Sequence, residues 1–251
     1  MNHREALLTG LLRVADDHLI LGHRVSEWCG HAPMLEEDLA LPNIALDLLG
    51  QARALYTYAG EVEGQGRTED DLAYLRRERE YRNLLLVERP NGDFAHTMLK
   101  QLYFSSFMQL WWTAACGSAD ATIAGISAKA VKESAYHVRH SAEWVIRLGD
   151  GTQESAARMA QAVEDLAPYV DEMFAPDDVG STLAPQMLPD NPALRASWDA
   201  QIATVFSEAT IEPHVPRASI SGGRDGRHGE EMGFLLTELQ YMQRSYPGAQ
   251  W

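Results

Sequence analysis

The sequence contains only two cysteines, Cys29 and Cys116, and they offer no pairing pattern. No run of about 18 apolar residues is present, which is the rough length of a membrane span, and the charged N-terminus does not resemble a signal peptide. Positive charge is also scarce: 21 Lys and Arg stand against 36 Asp and Glu, for a net charge of −15. This deficit argues against nucleic acid or an anionic membrane as the main partner. We therefore expect an acidic, soluble, cytoplasmic protein.

Several catalytic patterns are missing as well. The sequence has no Gly-x-Ser-x-Gly nucleophile motif, and neither cysteine pairs convincingly with a histidine. The glycine-rich stretch 222–228 contains two arginines, but it lacks the Gly-Lys-Ser/Thr ending and the preceding strand of a phosphate-binding loop. A weaker alternative, an anion-binding loop, stays open for this stretch. We predict no self-sufficient catalytic site.

Helical periodicity runs through most of the chain, whereas convincing strand-like alternation occurs nowhere. Thr68, Asp93 and Thr152 occupy positions where a side chain caps a helix, and Pro42 predicts a kink or a break. The predicted helices cover residues 5–28, 33–59, a short segment after Thr68, 94–115, 120–148, 152–174, 191–210 and 230–246, with loops at 175–190 and 213–229.

This pattern predicts an all-α protein with a single domain over residues 1–251. Several helices longer than 20 residues favour an antiparallel bundle over a globin or a short-repeat solenoid. No internal repeat and no change of composition divides the chain. Trp111 and Trp112 are interpreted as core residues or interface anchors. Four arginines interspersed with Glu78 and Glu80 are interpreted as a salt-bridged surface; they are Arg76, Arg77, Arg79 and Arg82.

The predicted helix 120–148 carries the most informative pattern. Glu and His at helical spacing are how helix bundles build carboxylate–histidine metal sites. Two lysines share that face, however, and a cation beside a metal ligand repels the metal. The polar face comprises Lys129, Lys132, Glu133, Tyr136, His137 and His140, and we predict an apolar stripe on the opposite side formed by Val131, Ala135, Val138, Ala142 and Val145.

Two interpretations of this polar face are open: a solvated surface, and a buried or interfacial polar network. A buried lysine would need a partner, because an unpaired buried ammonium costs several kcal/mol. Glu133 is available to Lys129 at i+4. Three aspartates in the first two helices have the same two alternatives, helix surface or polar bundle interior; they are Asp16, Asp17 and Asp47.

A di-iron bundle requires a carboxylate from each of two helices and a Glu-x-x-His motif from each of two others. Gly50 stands three residues after Asp47, and Tyr136 stands three residues after Glu133, so both histidines are missing. We therefore predict no functional di-iron site in this chain. The alternative is an active di-iron or di-manganese oxidase with an unorthodox ligand set drawn from Glu133, His137, His140, Asp47 and Glu36 or Glu37.

Longer stretches carry a more specific signal, and they are distributed over nearly the whole chain. They are residues 27–33 (EWCGHAP), 38–41 (DLAL), 47–53 (DLLGQAR), 83–88 (NLLLVE), 90–94 (PNGDF), 126–130 (ISAKA) with Lys132-Glu133 and Tyr136-His137, and near the end Gln240-Tyr241 and Gln250-Trp251. Together these stretches resemble the C subunits of the bacterial phenylacetyl-CoA epoxidase, a multicomponent oxygenase of phenylacetate degradation. The resemblance implies a ferritin-like helix bundle with additional helices.

The resemblance also implies a division of labour between subunits. In this family, the A subunit holds the di-iron centre, activates O2 and binds the CoA thioester, while the C subunit is a structural partner that has lost metal ligands. We therefore expect no cofactor in this chain, di-iron in the partner, and a tight hetero-oligomer with the A subunit. The B subunit and a reductase are further candidate partners. The A–C interface should be of the obligate class, above roughly 2,000 Å².

The resemblance finally implies a degenerate metal site. Asp16, Asp47 and Glu133 match ligand positions, and Gly50 and Tyr136 stand where histidines would be. We expect Lys129 and Lys132 to fill the vacated space with fixed positive charge. The full set predicted for this degenerate site is Asp16, Asp47, Lys129, Lys132, Glu133, Tyr136 and His137.

Overall fold

A computed structural model describes residues 1–249 of the chain, so the Gln250-Trp251 pair lies outside the described residues. Over this range the chain forms ten α-helices, four short 3-10 turns and no β-strand, which confirms the prediction of an all-α, ferritin-like helix bundle with additional helices. The helices are α1 (His3–Ser26), α2 (Leu35–Glu63), α3 (Glu69–Tyr74), α4 (Leu85–Glu88), α5 (Phe94–Ala115), α6 (Ala121–Gly149), α7 (Gln153–Leu166), α8 (Asp178–Leu183), α9 (Asn191–Glu208) and α10 (Glu230–Ser245).

The predicted caps form as expected. The side chains of Thr68, Asp93 and Thr152 each accept a hydrogen bond from a backbone N–H three residues on. Such a bond satisfies one of the amide groups that a helix leaves unpaired in its first turn. Asp120 accepts two of these bonds, from the amides of Thr122 and Ile123, and so fixes the start of α6.

Proline acts differently at two positions. α2 runs through Pro42 without the predicted break, and Leu41 and Ile44 beside it are fully buried, so packing holds this turn in place. By contrast, the predicted helix 152–174 ends at Leu166, where two 3-10 turns follow. Pro168 lies in the first of these turns and cannot donate the hydrogen bond that would continue the α-helix.

The first of two compact units comprises Met1–His31, Asp38–Pro90 and the C-terminal segment that begins at Ser221. Here α1 packs closely on α2 at Gly22, which has no side chain. A Cβ at this position would lie 3.3 Å from the side chain of Leu49 and 3.4 Å from the carbonyl oxygen of Ala45. α10 packs on α3, where the Gln240 side-chain amide donates to the carbonyl oxygen of Arg76 at 2.8 Å.

The second unit comprises Ala32–Glu37 and Asn91–Ile220, with α5 at its centre. α5 packs against α6, α7 and α9, and the Trp198 indole donates to the backbone oxygen of Tyr103 at 2.9 Å. Trp111 and Trp112 on α5 are buried, as expected of core residues. No helix within residues 1–249 has the length and apolar character needed to cross a membrane. A single domain over residues 1–251 stays a prediction.

Candidate functional site

Asp16 on α1 is completely buried and is bound by several donors of the first unit. The Tyr56 hydroxyl donates to it at 2.5 Å, and the backbone N–H of Arg82 donates at 2.7 Å. Both terminal nitrogens of Arg76 contact its two oxygens, one of them at 3.1 Å. Hydrogen bonds from within the chain therefore satisfy both carboxylate oxygens of Asp16.

Arg76 is itself buried, although the sequence placed it in a salt-bridged surface cluster. Its Nε donates to the carbonyl oxygen of Leu72 at 2.5 Å, and its guanidinium lies 4.2 Å from the centre of the Tyr81 ring. Burial by itself would lower the pKa of Arg76, but the neighbouring Asp16 carboxylate raises it above the ordinary value. The interior therefore holds a permanent positive charge beside Asp16.

Asp17, the next residue, is buried against a second arginine. The Arg224 guanidinium donates to its two oxygens at 2.8 and 3.0 Å, and the Leu84 backbone N–H donates at 2.7 Å. Burial raises the pKa of Asp17 to about 6, and the Arg224 charge opposes that rise. The stretch 222–228 was predicted as a possible anion-binding loop, and the anion that its Arg224 binds is the Asp17 carboxylate of the chain itself.

The glycines of that stretch allow it to lie directly on the backbone of another segment. A Cβ on Gly223 would lie 2.0 Å from the carbonyl oxygen of Asn83. Gly226 has a positive φ of 74°, and a Cβ there would lie 2.4 Å from the carbonyl oxygen of Arg79. Only glycine fits at such close approaches, and they bring Arg224 to Asp17.

A third buried carboxylate, Glu88 on α4, is satisfied by the same C-terminal segment. His228 Nδ1 lies 2.8 Å from one of its oxygens, and the Gly229 backbone N–H donates to the other at 2.6 Å. His228 Nε2 lies 3.1 Å from the carbonyl oxygen of Tyr81. Burial lowers the pKa of His228, but the hydrogen bond to Glu88 more than reverses this and the pKa is raised. Two acceptors on one imidazole favour the doubly protonated ring.

Asp47 occupies a different position from Asp16. Gly22 of α1 approaches Ala45 and Leu49 of α2, so Asp47 is at the level of Gly22. Asp16 lies six residues before Gly22 on α1, about 9 Å along the helix axis. Asp47 is half-buried. That Asp16 and Asp47 belong to one degenerate site stays a prediction.

The site residues predicted on helix 120–148 lie on α6, in the second unit. The side of α6 that carries the two lysines is exposed rather than buried. The Lys129 side chain is 76% exposed and lies 3.3 Å from Glu133, Lys132 is exposed, and Tyr136 is 37% exposed, while His137 is buried. The expectation that the two lysines fill a vacated interior site is therefore wrong for this chain. Arg76 supplies the positive charge beside Asp16 instead.

The predicted apolar stripe of α6 is also not its buried face. Ala135 is exposed, and Val131, Val138 and Ala142 are only half-buried. Small residues allow α5 to approach closely, and the Ser105 and Ser141 hydroxyl oxygens lie 3.5 Å apart. The buried face comprises Ile123, Ser127, Ala130, Ser134, His137, Ser141, Val145 and Gly149.

Glu37 and His140, which the oxidase alternative used, contact each other. His140 Nε2 lies 2.7 Å from a carboxylate oxygen of Glu37, and both side chains are about nine-tenths buried. Across residues 1–249 no three His, Cys, Asp or Glu side chains converge in a geometry that could hold a metal ion. The carboxylates, with guanidinium partners in place of histidines, do not fit a di-iron centre.

The second unit also contains an open cleft of about 220 Å³, which none of the predicted site residues lines. Its aromatic walls include Tyr103 and Trp198, and burial raises the pKa of the Tyr103 hydroxyl. Arg195 at its edge donates to Asp171 at 2.7 Å and to Asp199 at 2.8 Å. The charge of this arginine is thus already neutralised within the chain.

The fold and these interior contacts define a class: a helix-bundle protein whose buried carboxylates are paired with arginine and histidine. The chain belongs to the phenylacetic acid catabolic protein family, which matches it over residues 1–251. It is 46% identical over 241 residues to the C subunit of the 1,2-phenylacetyl-CoA epoxidase of Escherichia coli (strain K12). The match covers 96% of this chain and 97% of that relative. The family resemblance carried by the sequence is thereby confirmed.

Proposed function

We propose that the chain is a non-catalytic structural subunit of a multicomponent phenylacetyl-CoA epoxidase, in which it supports a di-iron catalytic A subunit during aerobic phenylacetate degradation. The observation that carries this proposal is the ion pair of Asp16 with Arg76, together with the family membership. In this proposal, the Arg76 guanidinium, which donates to both carboxylate oxygens of Asp16, takes the role that a metal cation has in a metal-binding bundle.

The interior arginines explain how a bundle keeps its carboxylates without a metal. Asp16 has Arg76, Asp17 has Arg224, and both pairs are hydrogen-bonded on each carboxylate oxygen. A covalently attached cation cannot dissociate or change its oxidation state, so it neutralises the buried carboxylate and supplies no redox chemistry. The chain is then a rigid partner, and the di-iron cofactor belongs to the A subunit.

The alternative of an oxidase in its own right is not favoured. Its ligand set includes His140 together with Glu36 or Glu37, but the side chains of His140 and Glu37 are bonded to each other. This second function therefore has no structural observation in its favour.

Reconstitution of the epoxidase tests the proposal. The chain, the A subunit from the same organism, the B subunit and the reductase are purified separately, and phenylacetyl-CoA turnover is assayed with each component left out. We expect no turnover without the A subunit, and turnover by the A subunit that depends on this chain. Turnover by the chain with reductase alone would contradict the proposal.

A substitution separates a structural from a catalytic role. Asp47→Asn in this chain should leave turnover of the assembled epoxidase within about twofold, because no reacting atom depends on that carboxylate. Replacement of a ligand carboxylate in the A subunit is the matched control and should abolish turnover. A loss of about a hundredfold from Asp47→Asn, in a complex that still assembles, would place Asp47 in a catalytic site.

A further inference from the structure

The exposed face of α6 carries a row of cations centred on an aromatic ring. Its members follow one another at intervals of three or four residues, or twice that, so they lie on one side of the helix over about 27 Å. The cations are exposed, and Tyr136 is 37% exposed. We call this row the α6 basic face; it consists of Lys129, Lys132, Tyr136, Arg139 and Arg147.

The α6 basic face is an exception in an acidic chain. The whole chain has a net charge of −15 and only three lysines, and two of them lie on this face while the third, Lys100, is buried. Against the four cations stand the exposed Glu143 and the partly buried Glu133, which pairs with Lys129. The face therefore has a net charge of 4 − 2 = +2, opposite in sign to the chain.

Contacts within the second unit hold this face in a fixed arrangement. The other side of α6 is packed on α5, so the helix cannot turn. The Tyr136 ring lies 5.9 Å from the His140 ring and 5.6 Å from the Arg139 guanidinium, measured to ring centres. A pre-organised surface loses less conformational entropy when a partner binds.

A segment with two exposed apolar side chains accompanies the face. His140, one helical turn after Tyr136, is bonded to Glu37, and this contact attaches the segment Ala32–Glu37 to α6. That segment exposes Met34 at 45% and Leu35 at 70%. Aromatic residues, Met and Arg are enriched at protein interfaces, and charged residues form their rims. The combination has the composition of a protein-binding surface.

We propose that the α6 basic face is the docking surface for an acidic surface of the catalytic A subunit. This inference rests on the proposed function, because it takes the A subunit as the partner. Opposite charge brings the two surfaces together and sets their register, and Tyr136 supplies the buried contact at the centre. Lys129 and Lys132 then act between subunits rather than inside this one.

Charge reversal tests the proposal in the full-length chain. Binding of the chain to the immobilised A subunit is measured over a series of NaCl concentrations. Lys132→Glu combined with Arg139→Glu should weaken binding about a hundredfold at low salt, and much less at high salt, because screening removes the attraction in wild type. Tyr136→Ala should weaken binding about tenfold at every salt concentration.

The matched control reverses two exposed arginines elsewhere in the second unit. Arg158→Glu combined with Arg217→Glu changes the net charge by the same amount, and both side chains are exposed. We expect this control to bind within about threefold of wild type, since only the long-range charge changes. Circular dichroism and thermal midpoints of the two double variants should match wild type, because every altered side chain is on the surface.

The outcomes distinguish the two proposals. If the Lys132→Glu, Arg139→Glu variant binds the A subunit as tightly as wild type does, the α6 docking surface is overturned and the proposed function stays intact. The same holds if the control pair weakens binding as much as the α6 pair does. A wild-type chain that does not bind the A subunit at any salt concentration would overturn the proposed function and this inference together. Selective, salt-dependent loss in the α6 variant is the expected result.

Discussion

Arg76 and Asp16 form a buried ion pair although 60 residues separate them in the sequence. Arg76 lies between α3 and the following 3-10 turn, and Asp16 lies in the middle of α1. Tyr56 completes the group by bonding to both residues, at 2.5 Å to Asp16 and 3.1 Å to Arg76. Three segments of the first unit are thus joined through one carboxylate.

Removal of the arginine should be strongly destabilising. Arg76→Met leaves Asp16 buried without its cation, and breaking a buried pair from one side costs about 3–5 kcal/mol of the free energy of unfolding. Urea unfolding of the isolated chain measures this loss. Arg77→Met, at the exposed neighbouring position, is the control and should stay within about 0.5 kcal/mol of wild type. Equal effects of the two substitutions would show that the pair is unimportant.

Arg224→Met should have a pH-dependent effect. Without its cation, Asp17 is a buried carboxylate whose pKa lies further above the ordinary value than the wild-type value of about 6. A raised carboxyl pKa contributes stability below the ordinary pKa, and this stability is lost as pH rises through the folded pKa. We expect a loss of about 3 kcal/mol near pH 8 and a smaller loss near pH 5, where Asp17 takes up a proton.

The control for this experiment is Arg227→Met, three residues further along the same loop. The Arg227 side chain is 74% exposed and pairs with Asp225 at the surface. Arg227→Met should therefore change the urea midpoint little at either pH. A cost for Arg224→Met that is the same near pH 5 and pH 8 would contradict the assignment of Arg224 as the partner of a titrating Asp17.

His228 should give the wild-type chain a second pH dependence. Its folded pKa is raised above the ordinary value, so its contribution to stability is fully present below pH 6.5 and is lost as pH rises through the raised pKa. In wild type, the urea midpoint should therefore fall as pH rises above 6.5. His228→Gln should make this fall smaller. His214→Gln, at an exposed loop position, should leave the decline as it is in wild type.

Gly223→Ala should disturb the loop that brings Arg224 to Asp17. The new Cβ would lie 2.0 Å from the carbonyl oxygen of Asn83, which requires the backbone to shift at a cost of about 1–3 kcal/mol. Gly233→Ala in α10 meets its nearest atom at an ordinary 3.5 Å, so it should be neutral or slightly stabilising through helix propensity. Thermal unfolding of both variants checks the contrast.

The long helices could be predicted from local signals. α5 has the predicted bounds, because Asp93 caps its start and the chain turns at Gly117. α4 and α8 were missed: α4 has only four residues, too few to show helical periodicity, and α8 lies inside a stretch whose composition is typical of a loop. Helices of one or two turns depend on tertiary contacts more than on their own sequence.

The faces of α6 could not be predicted from its pattern. Serine and alanine are as compatible with a close helix contact as with solvent, so Ser127, Ser134 and Ser141 gave no sign that their side is buried. The i+4 spacing of Lys129 and Glu133 allows an ion pair whether their side of the helix is exposed or buried. The spacing therefore does not distinguish a surface position from an interior one. Packing against α5 decides the orientation.

The interior arginines were missed for a related reason. Arg76 stands in a run of alternating Arg and Glu that is typical of a solvated helix, and its partner is remote in the sequence. Arg224 had a usable signal: it is flanked by glycines at positions 223 and 226, which permit the close backbone approach seen at Asn83 and Arg79. Such a cluster is better interpreted as a packed loop than as a phosphate site.

The metal content of the purified chain tests the central claim most directly. The chain and its A subunit are expressed separately in iron-replete medium, passed through gel filtration, and analysed for iron and manganese. We predict less than about a tenth of a metal ion per chain for this protein, and about two irons for the A subunit. Near two metal ions bound to this chain after gel filtration would contradict the account, and the chain should then be assayed as an oxidase.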